Sequence, residues 1–178
     1  MKKIALLLVI TLFGLGCEKD DICPEDSITT PRLIIEFFDI ETIEDQNPKT
    51  VFRFRAQGVG NDNPVDELDG SSGEQKIALP LKTTTDDPNG EAFTTEYVLT
   101  KNYRVDENGN VTGNEDVITI SYTTDQEYVS RGCGFKSVFK NITLTVEDDG
   151  DRWIQVIQSV DDNQILADES ATNFNIYH

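Results

Sequence analysis

Residues 141–157, NITLTVEDDGDRWIQVI, carry the strongest fold signal in this chain. Apolar and polar side chains alternate over 142–147 and again over 153–157, and a period of two predicts β-strands with one buried and one solvated face. The acidic run Asp148-Asp149-Gly150-Asp151 separates the two strands, and its residue types favour a tight turn. The stretch therefore predicts a β-hairpin.

The same alternation recurs along most of the chain from Pro31 onward. β-Branched and aromatic residues fit a pleated, half-buried surface. They are concentrated in runs near residues 33–37, 52–56, 77–81, 93–100, 118–122, 128–133 and 174–176. Helical periodicity is nearly absent, and only residues 164–170 are candidates for a helical turn. We therefore expect an all-β chain.

Turn-forming residues divide these runs. Asn89-Gly90 and Asn108-Gly109 are turn signals, and residues 58–75 are rich enough in Gly, Asp, Asn and Ser to predict a long loop. Short strands punctuated in this way are typical of sandwiches and barrels. We predict an antiparallel β-sandwich of about 7–9 strands. A β-barrel is the alternative, and we favour the sandwich because it requires no fixed shear.

The composition restricts the class of protein. The 178 residues include 33 Asp and Glu against 15 Lys and Arg, a formal net charge of −18, and 37% are hydrophobic. That hydrophobic content suits one globular domain. We expect no nucleic-acid partner, since generic nucleic-acid binding needs a basic surface. The acidic charge instead favours solubility and repulsion between copies.

The N-terminus has the layout of an export signal. Met1-Lys2-Lys3 is basic, residues 4–15 are apolar, small or hydroxyl-bearing, and a cysteine follows Gly16. This order is typical of a secretory signal peptide, and its apolar part is shorter than the roughly 18 residues of a transmembrane helix. No later run approaches that length, so we predict no transmembrane helix. We divide the chain into a signal peptide, a lipidated tether and a β-sandwich domain at residues 1–16, 17–30 and 31–178.

The cysteine after the predicted cleavage point resembles that of the lipobox of bacterial lipoproteins. Leu15-Gly16-Cys17 fits the pattern, whereas Gly14 stands where the family prefers a branched aliphatic residue. The resemblance implies that Cys17 carries a diacylglyceryl group; the alternative is an ordinary signal peptide with an unmodified cysteine. Two or three acyl chains would make the attachment lasting, because one chain alone anchors only marginally.

Two short motifs near this cysteine resemble signals of exported Bacteroidota proteins. Glu18-Lys19-Asp20-Asp21 is similar to the charged tetrapeptide of surface-exported lipoproteins. It implies an outer-membrane lipoprotein displayed at the cell surface, the alternative being a solvated charge run on a periplasm-facing protein. Asp26-Ser27-Ile28 resembles a Bacteroidota O-glycosylation site, which makes Ser27 a candidate for glycosylation.

Two cysteines remain once Cys17 is assigned to the lipid. Cys23 and Cys133 would both lie in an exported compartment, where paired thiols form disulfides. A bond between them would join the tether to the domain six residues from the anchor. Two reduced thiols are the alternative, and Cα atoms more than about 7 Å apart could not be bridged.

Few residues suggest catalysis or metal binding. The only histidine is His178, which argues against thiol catalysis, and no Cys/His cluster suits zinc. Arg53 and Arg55, two apart in a predicted strand, would suit an anionic ligand or simply balance the acidic surface. Acidic turns are usually only solvated, but carboxylates at a hairpin tip can bind calcium. The calcium candidates are Asp148, Asp149 and Asp151.

Three segments together resemble a family of small, uncharacterised Bacteroidota lipoproteins defined only as a domain of unknown function. The segments are Cys17–Cys23, Thr30–Asp39 and Arg131–Lys136. The resemblance covers most of the mature chain. It implies an exported location and a pair formed by Cys23 and Cys133, and it implies no activity.

These observations favour a non-enzymatic, lipid-anchored protein of the cell envelope that needs no cofactor and serves as an interaction or structural module. Its expected partners are the membrane, through the lipid, and an envelope or extracellular protein or glycan. A calcium- or small-ligand-binding sandwich is the first alternative. A glycan hydrolase is the second, and it requires two inward-facing carboxylates about 5–10 Å apart in a cleft.

Overall fold

A computed structural model describes residues 22–24, 30–83, 92–162 and 165–178. These residues form a nearly all-β structure, as the sequence predicts. A short 3-10 helix, Ile40–Thr42, follows the first strand. The strands are β1 (Leu33–Phe38), β2 (Arg55–Gly58), β3 (Lys76–Leu79), β4 (Phe93–Val105), β5 (Val111–Ser130), β6 (Gly134–Val146), β7 (Val156–Ser159) and β8 (Phe174–Tyr177). Within the described ranges no helix has the length and apolar content to cross a membrane.

The strands form two four-stranded sheets, in the orders β3-β1-β8-β7 and β2-β4-β5-β6, and neither closes into a barrel. The predicted β-sandwich is confirmed. The second sheet is antiparallel throughout. In the first sheet β1 and β8 run parallel, with Ile35 opposite Phe174 and Phe37 opposite Ile176. This pair is the one departure from the predicted antiparallel pairing among the described strands. Parallel neighbours need a long crossover instead of a tight turn, and here almost the whole domain lies between the two strands.

The hydrophobic core lies between the sheets. Its largest side chains come from both layers and from the connections that close the ends. They include Phe37 of β1, Tyr122 of β5, Phe139 of β6 and Phe54, which precedes β2. Trp153 packs against the rings of Phe37 and Phe54, with centroids 6.1 and 6.5 Å apart. The alternation in the sequence therefore corresponds to one buried face on each sheet.

The stretch 141–157 does not form the predicted hairpin. β6 pairs with β5 in one sheet, whereas β7 pairs with β8 in the other. The acidic turn therefore carries the chain from one sheet to the other. Two contacts with β5 hold this connection: the Asn114 amide donates to the carbonyl of Asp151 at 2.8 Å, and the Asp116 carboxylate accepts from the N–H of Ile154 at 2.7 Å.

The fifth and sixth predicted strands are one strand. β5 runs for 20 residues, and the run predicted at 128–133 is its end together with the following turn. The pairing of β5 with β6 shifts register at Ser121/Thr123 and at Tyr128/Ser130. Irregularities of this kind bend a strand. Only part of β5 is buried against the other sheet, and most of its last residues are exposed.

The second strand begins later than predicted. Phe52 is 66% exposed and Arg53 has a left-handed φ of 48°, so β2 starts only at Arg55. The loop predicted at 58–75 and the turn at Asn108-Gly109 are confirmed. The turn predicted at Asn89-Gly90 lies outside the described residues.

Candidate functional site

A disulfide joins the tether to the domain. The sulfur atoms of Cys23 and Cys133 are 2.03 Å apart and their Cα atoms 4.7 Å apart, across a sequence separation of 110. A Cα separation of this size lies in the ordinary range for disulfides. The predicted pairing is therefore the one that the structure contains.

The turn between β5 and β6 is shaped to receive the tether. The backbone N–H of Cys133 donates to Ser130 Oγ at 3.0 Å. The main chain of Ile22 and Cys23 passes so close to Gly132 that a Cβ at this position would lie 2.7 Å from the Ile22 carbonyl carbon and 2.8 Å from the Cys23 nitrogen. A side chain at position 132 would therefore collide with backbone atoms, which move less easily than the end of a flexible side chain.

Four exposed apolar side chains surround this junction, and we call them the apolar tip. Tyr128 and Phe135 are cross-strand partners on β5 and β6, with ring centroids 5.5 Å apart. Residues 128–135 contain one basic residue and no acid, in a chain with 33 acids. The members and their exposed fractions are Ile22 66%, Tyr128 57%, Val129 38% and Phe135 63%. An apolar group that faces solvent beside the tether marks a surface that is suited to contact another body.

The charged side chains next to the apolar tip occur in ion pairs. Lys136 Nζ lies 3.3 Å from Glu127 Oε2, and Lys140 Nζ lies 2.8 Å from Asp125 Oδ2. The hydrogen bond from Lys140 lowers the pKa of Asp125 below its ordinary value. Exposed pairs add only about 0–1 kcal/mol to stability. Because each carboxylate here is paired with a lysine, this end of the β5–β6 hairpin has no excess of negative charge.

The calcium candidates lie far from this junction, beside the opposite end of β5. Asp149 Oδ1 accepts from the backbone N–H of Asp151 at 2.9 Å, and Asp148 Oδ1 lies 3.8 Å from Arg152 Nε. Asp149 and Asp151 line a shallow surface hollow together with Glu115. Across the described ranges no group of three or more His, Cys, Asp and Glu side chains is arranged to hold a metal ion. The carboxylates of Asp148 and Asp149 accept hydrogen bonds from backbone N–H groups of the same turn, and the turn is an exposed acidic surface.

Arg53 and Arg55 do not share a strand face, because the left-handed φ of Arg53 places it in the turn before β2. Both instead contact Tyr103 of β4. Arg53 Nε donates to the Tyr103 carbonyl at 2.8 Å, and the guanidinium of Arg55 lies 4.8 Å from the centroid of the Tyr103 ring. The shared strand face that would have suited an anionic ligand is therefore absent, and both side chains pack on β4 instead.

His178 packs in the interior at the end of the sandwich that lies away from the apolar tip. Its ring is 6% exposed, stands edge-on to Trp153 with centroids 5.6 Å apart, and places Nδ1 3.1 Å from Lys101 Nζ. Burial, together with the charge of Lys101, lowers the pKa of His178 to about 4. The imidazole is therefore neutral at physiological pH. Nothing in the sequence around His178 predicts that its ring is buried.

The remaining predicted sites, Cys17 and Ser27, lie outside the described residues. Among those described, Asp116 is the one acidic side chain that is buried, at 1% exposure. Its carboxylate accepts from the N–H groups of Trp153 and Ile154. Burial outweighs these bonds and raises the pKa of Asp116. The carboxylate is engaged with the backbone and does not face a cleft.

The fold and the junction define a β-sandwich domain whose N-terminal segment is fixed to a hairpin turn by a disulfide. The chain belongs to a family of unknown function, DUF6452, whose model matches residues 50–178. That match includes Cys133 and the strands from β2 onward, whereas Cys23 and β1 precede it. No curated protein and no solved structure matches the chain.

Proposed function

We propose that this protein is a non-enzymatic, lipid-anchored lipoprotein of the outer membrane that serves as an interaction or structural module of the cell envelope. The observation that carries the proposal is the disulfide between Cys23 and Cys133. It attaches the domain six residues after Cys17, the cysteine that the lipobox resemblance assigns to the lipid. The Bacteroidota attribution rests on the tetrapeptide Glu18-Lys19-Asp20-Asp21 and on the family resemblance of the three segments described above.

The disulfide limits how far the domain can stand from its anchor. Six residue steps separate Cys17 from Cys23, and a fully extended chain of that length reaches about 20 Å. Without the disulfide the first attachment would be Leu33, sixteen steps from Cys17, which allows about 55 Å. Such a short link suits a protein whose function requires the domain to stay close to a membrane.

The described carboxylates favour neither alternative function. The glycan hydrolase needs two acids facing one cleft, whereas the buried Asp116 is hydrogen-bonded to the backbone of residues 153 and 154. Calcium needs six to eight oxygen ligands, and the exposed acidic turn is arranged around its own N–H groups. Removal of residues 1–16 would bring the net charge near −20.

For the displayed surface we propose an envelope or extracellular protein or glycan as the partner.

Metabolic labelling with an alkyne-bearing fatty acid tests the anchor. The full chain is expressed in a bacterium that processes lipoproteins, and the labelled protein is detected after click conjugation. The native chain should be labelled and sediment with membranes, and the Cys17→Ala variant should lose both properties. The Cys23→Ser/Cys133→Ser variant is the matched control and should keep the label. An unlabelled native chain would end the proposal.

Protease treatment of intact cells tests surface display. The wild-type protein should be degraded from outside, whereas replacement of Glu18-Lys19-Asp20-Asp21 by four alanines should protect it. Equal protection of both forms would indicate that the protein faces the periplasm. Acyl labelling of the same samples shows whether both forms carry the anchor.

A further inference from the structure

We propose that the apolar tip rests in the interfacial region of the lipid bilayer, as a second contact beside the acyl anchor. The proposal depends on acylation of Cys17, which is part of the proposed function above. It adds that Tyr128, Val129, Phe135 and Ile22 touch lipid, and that this contact fixes the orientation of the domain.

Position is the first argument. Ile22 belongs both to the apolar tip and to the segment that leads to the anchor, five residues after Cys17. Its main chain lies against Gly132 in the β5–β6 turn. The acyl chains are thus within about 20 Å of the apolar tip by the length of the chain alone. No other large exposed side chain of the described residues is so close in sequence to Cys17.

The chemistry of the apolar tip is the second argument. The interface between lipid headgroups and acyl chains favours tyrosine, which combines an apolar ring with a polar hydroxyl. Tyr128, 57% exposed, presents such a ring, and the apolar ring of Phe135, 63% exposed, stands edge-on beside it.

The distribution of charge is the third argument. The opposite end of β5 carries Glu115 and adjoins Asp149 and Asp151 of the acidic turn. Anionic lipid repels carboxylates, so this end is unsuited to face the membrane. At the other end the β5–β6 turn has no acid, and the nearby carboxylates belong to the tether, where Asp20, Asp21, Glu25 and Asp26 flank Ile22 in the sequence. The strand between the two ends has 20 residues, a contour length of about 60 Å at the usual rise. The acidic end would therefore project outward when the apolar tip is seated.

This arrangement provides a matched control at the far hairpin. Val105 and Val111, cross-strand partners beside the β4–β5 turn, are both 54% exposed. They resemble the apolar tip in exposure and in their place beside a hairpin turn, but they lie at the acidic end of β5. A membrane contact made merely because a residue is apolar would not distinguish the two hairpins.

Fluorescence quenching by lipid-attached nitroxides tests the proposal. The chain has one tryptophan, Trp153, which is 6% exposed and gives a constant background. Phe135→Trp and Val111→Trp variants of the acylated full chain are placed in vesicles of phosphatidylethanolamine and phosphatidylglycerol that contain nitroxide-labelled lipid. We expect several-fold stronger quenching of the new indole at position 135 than at position 111. Acyl labelling is measured on the same samples.

The outcomes separate the two proposals. Labelled protein without quenching at position 135 overturns the bilayer contact and leaves the lipid anchor standing. Equal quenching at both positions overturns the proposed orientation. A blue-shifted but unquenched indole at position 135 means that a protein, either a second copy or another partner, covers the apolar tip, and this also overturns the bilayer contact. Unlabelled protein refutes the anchor itself.

Discussion

Asp116 Oδ2 accepts a hydrogen bond of 2.7 Å from the backbone N–H of Ile154. The two residues belong to different layers: Asp116 lies on β5 of one sheet, and Ile154 lies on the connection that enters β7 of the other. The other carboxylate oxygen accepts from the N–H of Trp153 at 3.3 Å. A buried carboxylate thus satisfies two donors at the point where the chain crosses between the sheets.

Replacement of this carboxylate should be costly. Asp116→Ala leaves two buried N–H groups without a partner, and we expect a loss of about 2–4 kcal/mol in the free energy of unfolding. Asp116→Asn keeps one acceptor and should lose less. Urea denaturation followed by the emission of Trp153 measures both. Asp149→Ala in the exposed turn is the control and should change stability by less than about 0.5 kcal/mol; equal losses for Asp116→Ala and the control would contradict the assigned role.

The same contact explains why the predicted hairpin at 141–157 is wrong. Alternation gives the face of a strand and Asp-Gly chemistry gives a turn, and both were identified correctly around residues 142–151. Neither property specifies which sheet receives the next strand. The crossing between the sheets is held by Asp116, 37 residues before Trp153, and local patterns carry no information about such distant partners.

Removal of the disulfide should destabilise the domain. The bond closes a loop of 110 residues, and native disulfides typically contribute about 2–4 kcal/mol, mainly through the unfolded chain. We expect a loss of this size for Cys23→Ser/Cys133→Ser and for the native chain in reductant, measured by urea denaturation. The double variant should not respond to reductant. If reduction left the urea midpoint of the native chain unchanged, the bond would hold the tether without stabilising the fold.

The disulfide could be predicted and the apolar tip could not. An expected exported location and two remaining cysteines favour a pair of Cys23 and Cys133 over two reduced thiols, and the structure contains that pair. Tyr128 and Phe135, in contrast, have the composition of a buried strand, and the sequence predicted a strand at 128–133. Their exposure arises because β5 and β6 extend past the part of the sandwich that the other sheet covers, and strand length relative to the opposing sheet is a tertiary property.

Tyr122 fastens the end of the segment after β3 to the second sheet. Its hydroxyl donates to the Lys82 carbonyl at 2.8 Å and lies 2.7 Å from Thr95 Oγ1. Tyr122→Phe removes a buried hydroxyl that links the Lys82 carbonyl to Thr95 Oγ1, and we expect a loss of about 1–2 kcal/mol in urea denaturation. Tyr128→Phe removes a hydroxyl from an exposed ring and should be neutral. Comparable losses in the two variants would mean that the buried hydroxyl contributes nothing specific.

His178 should make stability depend on pH between about 6.5 and 4. Its pKa is about 4 in the folded protein, whereas the unfolded chain takes up the proton near pH 6.5. The unfolded state therefore binds more protons in this window, and stability falls as the pH is lowered, by about 3 kcal/mol in total. Above pH 6.5 both states are neutral and the effect vanishes.

The variant His178→Phe should remove this dependence. Unfolding free energies measured between pH 7 and pH 5 should slope downward for the native chain and be nearly flat for the variant. Asp116 acts in the opposite direction, because its pKa is raised in the folded protein and lower pH favours that state. A slope that persists in His178→Phe would assign the pH dependence to other groups.

Gly132 should control formation of the disulfide through the space it leaves for the tether. A Cβ at position 132 would lie 2.7–2.8 Å from backbone atoms of Ile22 and Cys23, so Gly132→Ala must displace the tether for Cys23 to reach Cys133. Overpacking of this kind costs about 1–3 kcal/mol, which corresponds to a roughly 5- to 150-fold lower equilibrium constant for disulfide formation in a glutathione buffer.

Two comparisons isolate this contact from a general loss of stability. Gly134→Ala alters the same turn at a φ of +72°, where no atom lies within 4 Å of the added Cβ. It should therefore lower the stability of the turn and leave the thiol–disulfide equilibrium much closer to that of the native chain. In the Cys23→Ser/Cys133→Ser background the tether is released, so Gly132→Ala should lose most of its effect on unfolding. An unchanged equilibrium in Gly132→Ala would mean that the tether can approach the hairpin by another path, and formation of the disulfide would then not depend on the glycine.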